Sequence, residues 1–385
     1  MSDERHNVYF DDADLDYFLQ YALACQTYGG AAYGECLYAA SQVRENDPAT
    51  WVRAWTGTAA RADAVGRSAE AAGHRVSARD AYLRAATYYA VALVCVRPRE
   101  PRFAGLYRSF RAAFRRSAAL HEPAFEPVAI PYDGGTLTGY FRPAAVAGVR
   151  RPAVVLLGDR FAEEMYVWGG APAAAARGYH VLMADQPGQG LTPLDGLHTT
   201  AYAERPVGAM VDYVSALPGV SRVALYGVAS AGYAVTRAAA ADKRISACVA
   251  GPPVLDMGRL MRAETPTAPD PSGGGSAVRS VLFDLTAWQA GTTDLPGLFE
   301  LFTGMRVDDA GGIGCPMLCL VSAGERPERV RQARELHGLL GHPSSALHVF
   351  TAEEGADAHN QANNLARAHQ VVFDWLDEVL AVPAP

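Results

Sequence analysis

The stretch of this chain best suited to covalent chemistry is a strand, a sharp turn and a helix in succession. An apolar run at residues 223–226 leads into Gly227-Val-Ala-Ser-Ala-Gly-Tyr233, and an Ala-rich helical stretch follows at residues 235–241. Enzymes that form an acyl intermediate on a serine present that serine at a turn of this kind, above the end of a sheet. The pattern therefore predicts a nucleophile position within residues 227–233.

Two registers of the Gly-x-Ser-x-Gly pattern compete at this turn. Centring it on Ser230 puts Val228 two residues before the apex and Gly232 two residues after it. Centring it on Ala229 puts Gly227 two residues before the apex instead. Because the strand approaches the following helix closely, a β-branched flanking side chain would collide, so sterics favour residue 229 as the apex.

The favoured apex is an alanine, which has no nucleophilic atom, and three interpretations are open. We favour a Ser→Ala change at Ala229, natively a serine, of the kind made to trap a substrate. A natural alanine would instead make the protein a non-nucleophilic or inactive enzyme. In the third interpretation Ser230 is the alternative nucleophile, and the flanking Val228 counts against it.

A serine nucleophile needs a general base. For a nucleophile on a turn of this kind the expected order along the chain is nucleophile, acid, histidine, so the base should be a histidine near the C-terminus. His359 is the candidate, because it lies in Glu353-Glu-Gly-Ala-Asp-Ala-His-Asn360, a loop between the last predicted strand and the last predicted helix. Three other histidines fall within helix or strand patterns and are predicted to be packing or surface residues: His337, His348 and His369.

The acid that orients the histidine should follow the predicted strand at residues 316–321. Glu325 and Glu328 are the carboxylates there, with Asp256 as an outside candidate after the preceding strand. A glutamate can fix the imidazole tautomer and stabilise its cation. Either glutamate could equally be an exposed residue at the start of a helix.

Oxyanion stabilisation should come from two backbone N–H groups near the nucleophile. In the favoured register one belongs to Ser230, and the other belongs to Asp159 or Arg160 in the loop after the predicted strand at residues 153–157. Ser230 would then act through its amide.

The elements around these residues predict an α/β protein with two parts. Residues 1–122 show only helical patterns and are predicted to be a helical N-terminal or cap domain. Residues 123–385 alternate short apolar strands with helices, including a predicted helix at 161–177, which favours a mostly parallel sheet covered on both faces. An insertion at about 252–314 contains the Pro- and Gly-rich stretch 265–275, and could be either a lid or peripheral packing.

Composition excludes several classes of function. The net charge of −7 without any basic block argues against nucleic acid as a partner. No apolar run is long enough to cross a bilayer, and the polar first residues lack a signal peptide, so we expect a cytoplasmic protein without a membrane partner. The six cysteines lack metal-type spacing, and we expect neither metal nor cofactor.

Several motifs together resemble one branch of the α/β-hydrolase superfamily, the branch that contains 2,6-dihydroxypseudooxynicotine hydrolase and related polyketide-shortening hydrolases. The resemblance runs from about residue 81 to residue 380. It rests on Tyr82-Leu-Arg-Ala-Ala86, Ile130-Pro-Tyr132, Gly139-Tyr-Phe-Arg-Pro143, Asp185-Gln-Pro-Gly-Gln-Gly190, Gly227 to Tyr233, and Glu353 to His359 with Phe373-Asp-Trp-Leu-Asp377.

This resemblance implies a catalytic serine where the chain has Ala229, and a helical N-terminal domain that closes over the site. It implies hydrolysis of a carbon–carbon bond in a β-dicarbonyl or aryl ketone, or cleavage of an ester. The chain departs from the pattern at Ala229 and at Pro327, where relatives commonly carry an aspartate.

The leading hypothesis is a serine-type hydrolase that acts through an acyl-enzyme on a bulky aromatic or polyketide-like small molecule. The alternative with the same intermediate is an acyltransferase or cyclase of natural-product biosynthesis, in which a substrate group rather than water attacks. A natural alanine at position 229 would instead favour a binding protein on the same fold. A homodimer is expected by analogy only.

Overall fold

The computed structural model describes residues 7–45, 47–145, 148–264 and 277–382. The chain divides into two compact units, one of Met1–Ala124 with Thr267–Thr286 and the other of Phe125–Pro266 with Ala287–Pro385. The stretch 265–275, predicted as a loop, lies outside the described residues.

The first unit is helical. Its helices before residue 125 are α1 (Ala13–Ala24), α2 (Tyr33–Ala40), α3 (Pro48–Ala71), α4 (Arg75–Leu93) and α5 (Pro101–Ala119). Proline opens both α3 and α5, where its missing N–H removes no helical hydrogen bond. A buried aromatic row of Trp51, Trp55 and Tyr88 joins α3 to α4.

Part of the predicted insertion belongs to this helical unit. Helix α10 (Ala277–Gln289) starts within it, and its residues up to 286 are grouped with the helices of residues 1–124. Arg97 pairs with Asp284, and Arg279 lies 3.2 Å from Asp14. The flanking residues 252–266 and 287–314 are grouped with the second unit.

The second unit is built on an eight-stranded sheet in the order β1-β2-β4-β3-β5-β6-β7-β8. Its strands are β1 (Glu126–Tyr132), β2 (Gly135–Arg142), β3 (Arg151–Leu157), β4 (His180–Ala184), β5 (Val220–Val228), β6 (Ile245–Gly251), β7 (Met317–Ser322) and β8 (Ala346–Phe350). The hairpin β1–β2 is antiparallel, and the strands from β4 to β8 in this order are parallel.

Helices cover both faces of the sheet. Every residue of β3 and β4 is buried, and since successive side chains point to opposite faces, neither face is open there. The helices of this unit are α6 (Ala171–Ala176), α7 (Glu204–Ser215), α8 (Ala231–Ala241), α9 (Met257–Glu264), α11 (Leu295–Gly304), α12 (Pro327–Leu339) and α13 (Leu365–Val379). The predicted α/β class with an N-terminal helical region is confirmed.

The helix predicted at 161–177 is wrong in its first half. A short 3-10 turn spans Ala162–Tyr166, and α6 begins only at Ala171. Gly170 between them has φ +65°, a left-handed conformation that ends helical geometry, and a Cβ there would lie 2.8 Å from the His369 ring. Apolar periodicity could not reveal that the ring occupies this space.

Candidate active site

The turn after β5 has its apex at Ala229. This residue has φ +57°, a left-handed conformation that costs a residue with a Cβ about 1 kcal/mol or more. A Cβ on Gly227 would lie 2.5 Å from the Ala231 carbonyl oxygen, and one on Gly232 would overlap the Pro252 carbonyl oxygen. Glycine is therefore required two residues before and three residues after the apex.

Ser230 is not at the apex. Its backbone is helical, with φ −61° and ψ −24°, and it forms the N-cap of α8. Its hydroxyl makes no hydrogen bond with any described residue. Its amide likewise donates to no acceptor in the described part of the chain, and it stands where the positive end of the α8 dipole lies.

The structure brings His359 and Glu325 together. His359 Nδ1 lies 2.8 Å from Glu325 Oε1 and 2.9 Å from Oε2. Because a carboxylate only accepts, Nδ1 carries a proton; in the neutral ring Nε2 then holds the lone pair, which is the tautomer a general base needs. Close approach of two loops makes this contact possible: the Gly324 N–H donates to the Asp357 carbonyl at 3.1 Å.

Glu325 is held ionised. Its side chain is 2% exposed, and this burial alone would raise its pKa. The charge and hydrogen bond of His359, the charge of Arg329 at 3.8 Å and the Asn360 N–H together outweigh burial and lower the pKa of Glu325 to about 2. The carboxylate is thus permanently available to orient and stabilise the imidazole.

The two other candidate acids are used elsewhere. Glu328 pairs with Arg259 and Arg331, and accepts from Gln332 Nε2 at 3.0 Å. Asp256 caps α9, since its Oδ1 accepts the Arg259 N–H at 2.7 Å. Neither carboxylate contacts His359 among the described hydrogen bonds and ion pairs, so the geometry selects Glu325 as the partner of the histidine.

The loop after β3 carries the second predicted amide donor. The Asp159 N–H donates to no acceptor in the described ranges, and Asp159 is exposed. Arg160 is buried, and its guanidinium lies 2.7 Å from Glu164 and over the Phe161 ring. The Arg160 charge is therefore neutralised within its own loop.

Two residues that sequence reasoning missed hold this loop in place. Gln189 Nε2 donates to the Gly158 carbonyl at 2.6 Å, and Asp185 Oδ1 accepts the Ala162 N–H at 2.7 Å. Both side chains are buried. Their motif, Asp185-Gln-Pro-Gly-Gln-Gly190, entered the sequence analysis only through the family resemblance; an acid and an amide directly after a strand were the available signal.

Two of the other histidines make their contacts away from Glu325. His369 is buried, its Nε2 lies 2.9 Å from the Trp168 carbonyl, and burial lowers its pKa to about 4. His348 contacts Glu354 at 3.2 Å. Across the described ranges, no group of three His, Cys, Asp or Glu side chains could hold a metal ion, and no helix is both long and apolar enough to cross a bilayer.

Curated relatives of the chain are fungal hydrolases. The α/β hydrolase gkaG of Penicillium citrinum is 34% identical over 66% of this chain, which spans only 62% of that protein. The 20-hydroxy-prefusarin hydrolase FUS2 of Gibberella moniliformis is 29% identical over 98% of this chain and 99% of its own length. The hydrolase LUC6 of a Fusarium species is 30% identical over 94% of this chain and 95% of its own length.

The chain belongs to the α/β-hydrolase superfamily. No protein-family model matches it. The solved structure of 2,6-dihydroxy-pseudo-oxynicotine hydrolase superposes with a TM-score of 0.76 at 20% identity, covering 94% of this chain and 98% of that one, and so shares the fold. The resemblance predicted from the sequence motifs is confirmed. In this α/β-hydrolase, alanine occupies the turn where the superfamily pattern has the nucleophilic serine.

Proposed function

We propose that this protein carries the machinery of a serine-type α/β-hydrolase, with His359 as base, Glu325 as orienting acid and position 229 as the nucleophile site. The observation that carries the proposal is the Nδ1–carboxylate contact of 2.8 Å, which places the lone pair of the neutral imidazole on Nε2. A buried, ionised acid that holds a histidine in this tautomer is what a serine nucleophile needs. The chain with Ala229 is the form that lacks only the attacking atom.

The strand directions of the sheet support this assignment. β5, β7 and β8 run in the same direction, so residues that follow their carboxyl ends share one edge of the sheet. Ala229 follows β5, Glu325 follows β7, and His359 lies in the segment after β8. Asp159 follows β3, the neighbour of β5, on the same edge.

With a serine at position 229, the reaction would proceed in two stages. The serine oxygen attacks the substrate carbonyl while its proton passes to His359 Nε2, and the amides of Ser230 and of Asp159 or Arg160 donate hydrogen bonds to the negative oxygen. The leaving group, an alcohol or an enolate carbon, takes the proton from Nε2. Water then attacks the acyl-enzyme with His359 again as base, which releases the acid and restores the serine.

We propose a bulky aromatic or polyketide-like acyl compound as substrate, cleaved at an ester or a carbon–carbon bond next to a carbonyl. Support comes from the sequence resemblance to hydrolases of such compounds, and from FUS2, whose name gives 20-hydroxy-prefusarin as its substrate.

Fluorophosphonate labelling followed by intact mass measurement tests the nucleophile site. We expect Ala229→Ser to gain one adduct and the unchanged chain to gain none. The added variant His359→Ala in the Ala229→Ser background should slow labelling by about a hundredfold or more, since it removes the general base. Labelling of the unchanged chain that Ser230→Ala abolishes would make Ser230 the nucleophile instead.

A second candidate function is a binding protein on the same fold, and Ala229 itself favours it. Circular dichroism shows whether Ala229→Ser folds as the unchanged chain does. If it does and still takes no adduct, the catalytic dyad of His359 and Glu325 does not activate a nucleophile. That result would favour the binding function.

A further inference from the structure

Asn360 contacts both members of the dyad. Its main-chain N–H donates to Glu325 Oε1 at 3.2 Å, and its side-chain Nδ2 lies 3.1 Å from His359 Nε2. The residue is 6% exposed and directly follows the histidine in the chain. Asn360 therefore bridges the carboxylate and the imidazole.

The orientation of the Asn360 amide follows from the tautomer of the ring. In the neutral ring Nε2 carries the lone pair because Nδ1 donates to Glu325, so only the NH₂ end of the amide can face it. This orientation leaves Asn360 Oδ1 buried without a hydrogen-bond partner in the described part of the protein. An unpaired buried carbonyl costs about 1–3 kcal/mol. The contact with Nε2 is maintained in spite of that cost.

The backbone of Asn360 is also unfavourable. Its φ is +55°, and Gln361 after it has φ +54°. Two successive non-glycine residues in the left-handed region are rare, and asparagine tolerates this region better than most residues. The conformation turns the Asn360 N–H toward Glu325 and the side chain toward the imidazole.

We propose that Asn360 is a positioning residue for the catalytic dyad, an assignment that rests on the proposed hydrolase function. Its main chain fixes Glu325, and its side-chain NH₂ holds the ring so that Nε2 keeps its lone pair. A serine hydroxyl at position 229 would donate to the same nitrogen and replace the amide as the reaction begins. The amide would thus keep the base oriented in the absence of that donor.

Charged groups surround this pair on several elements. Glu325 faces Nδ1 from the loop after β7, and Arg329 of α12 lies 3.8 Å behind Glu325. Glu264 of α9 pairs with Arg329 at 2.7 Å, and Asp159 adds its charge near Arg329. Asp357 accepts from Asn363 Nδ2 at 2.9 Å. Substitutions at position 360 therefore need a control that changes charge in the same loop.

Two variants distinguish the contribution of the Asn360 side chain from that of its main-chain N–H. Asn360→Gly keeps the N–H, tolerates a positive φ and removes only the amide. Asn360→Asp is nearly isosteric but replaces the donor that faces Nε2 with an acceptor. Asn363→Asp is the matched control, because Asn363 is exposed, lies three residues away and contacts Asp357 rather than His359.

The first readout needs no nucleophile. Long-range ¹H–¹⁵N correlation spectra of ¹⁵N-histidine-labelled protein report which ring nitrogen carries a proton. Near pH 8 we expect the unchanged chain to show His359 with a protonated Nδ1 and a bare Nε2. Asn360→Asp should protonate Nε2, because a carboxylate there needs a donor. Asn360→Gly should move the Nε2 resonance while the tautomer stays the same, and Asn363→Asp should change neither.

The second readout is labelling rate in the Ala229→Ser background. Asn360→Asp should slow fluorophosphonate labelling by about a hundredfold, because a protonated Nε2 cannot act as a base. Asn360→Gly should slow it by about three- to tenfold, in line with loss of one hydrogen bond. Asn363→Asp should stay within about twofold, as expected for an exposed charge.

An unchanged Nε2 resonance in both position-360 variants would overturn the proposal, and so would unchanged labelling rates. If Ala229→Ser takes no adduct but the ring responds as expected, the positioning role stands and the hydrolase function fails. A merely structural role predicts lower melting temperatures with an unaltered ring spectrum.

Discussion

Ala229 has a left-handed conformation, although its side chain carries no reactive atom that this conformation could present to a substrate. Its φ of +57° is enforced by the close contacts of Gly227 and Gly232 with the neighbouring backbone. The strain is therefore a property of the turn and would be present with any residue that has a Cβ. Serine in this position would be presented at the same point without rearrangement.

Replacing Ala229 with glycine should stabilise the protein. Glycine adopts a positive φ without steric cost, and after its greater entropy in the unfolded chain is subtracted, we expect a gain of about 0.5–1 kcal/mol in the free energy of unfolding. Urea denaturation of both proteins measures this difference in the free energy of unfolding. Ala240→Gly within α8 is the control and should destabilise by a similar amount. A destabilised Ala229→Gly variant would show that the apex is not strained.

Glu325 should make the free energy of unfolding fall as the pH is lowered into the acid range. Its pKa is lowered to about 2 from an ordinary value of 4.5, so its contribution is fully present above about pH 4.5 and is lost as the pH falls toward 2. Glu325→Gln should cost on the order of 3 kcal/mol near pH 7 and less near about pH 3.5. Urea unfolding at both pH values checks this. Glu300→Gln, at an exposed position of α11, is the control for the substitution itself; a cost of Glu325→Gln that is equal at the two pH values would contradict the assignment.

The choice between Glu325 and Glu328 could not be made from the sequence. The two lie three residues apart around the start of α12, and both are acidic and buried in the fold. What separates them is the contact of Gly324 with Asp357 and the pairing of Glu328 with Arg259, which join segments far apart in the chain. The candidate base was predictable, because a histidine in the loop before the last helix follows from chain order alone.

The loops at the end of β3 and β4 act as one unit around the predicted oxyanion site. Gln189 ties them together through the Gly158 carbonyl at 2.6 Å, whereas Gln186 reaches the same carbonyl at 3.4 Å. The positions of the amides after Gly158 therefore depend on the Gln189 side chain more than on Gln186.

Gln189→Ala should slow labelling of the Ala229→Ser protein. Displaced oxyanion donors weaken transition-state stabilisation, and we expect a loss of about tenfold, smaller than the hundredfold or more caused by deleting a donor. Gln186→Ala is the matched control with a loss of about twofold or less. The measurement is the second-order rate of adduct formation. Equal rates in the two variants would mean that this loop does not position the amides.

Strands and helices of the chain were predicted well because their apolar periodicity is local. The mostly parallel sheet followed from short apolar runs between helices. The helix at 161–177 failed because its interruption at Gly170 depends on His369, almost 200 residues later. The grouping of residues 267–286 with the N-terminal helices could not be predicted for the same reason, since it depends on long-range pairs such as Arg97 with Asp284.

That grouping makes the helical unit discontinuous in the chain, and biosynthesis runs in one direction. During synthesis the ribosome releases residues 1–124 first, yet the partners of Arg97 and Asp14 on α10 emerge only after β1 to β6 have been made. The N-terminal helices therefore lack their contacts with α10 while β1 to β6 are being translated. A fragment that ends at residue 124 lacks part of its own unit, and the unit can be completed only after residue 286 has been added.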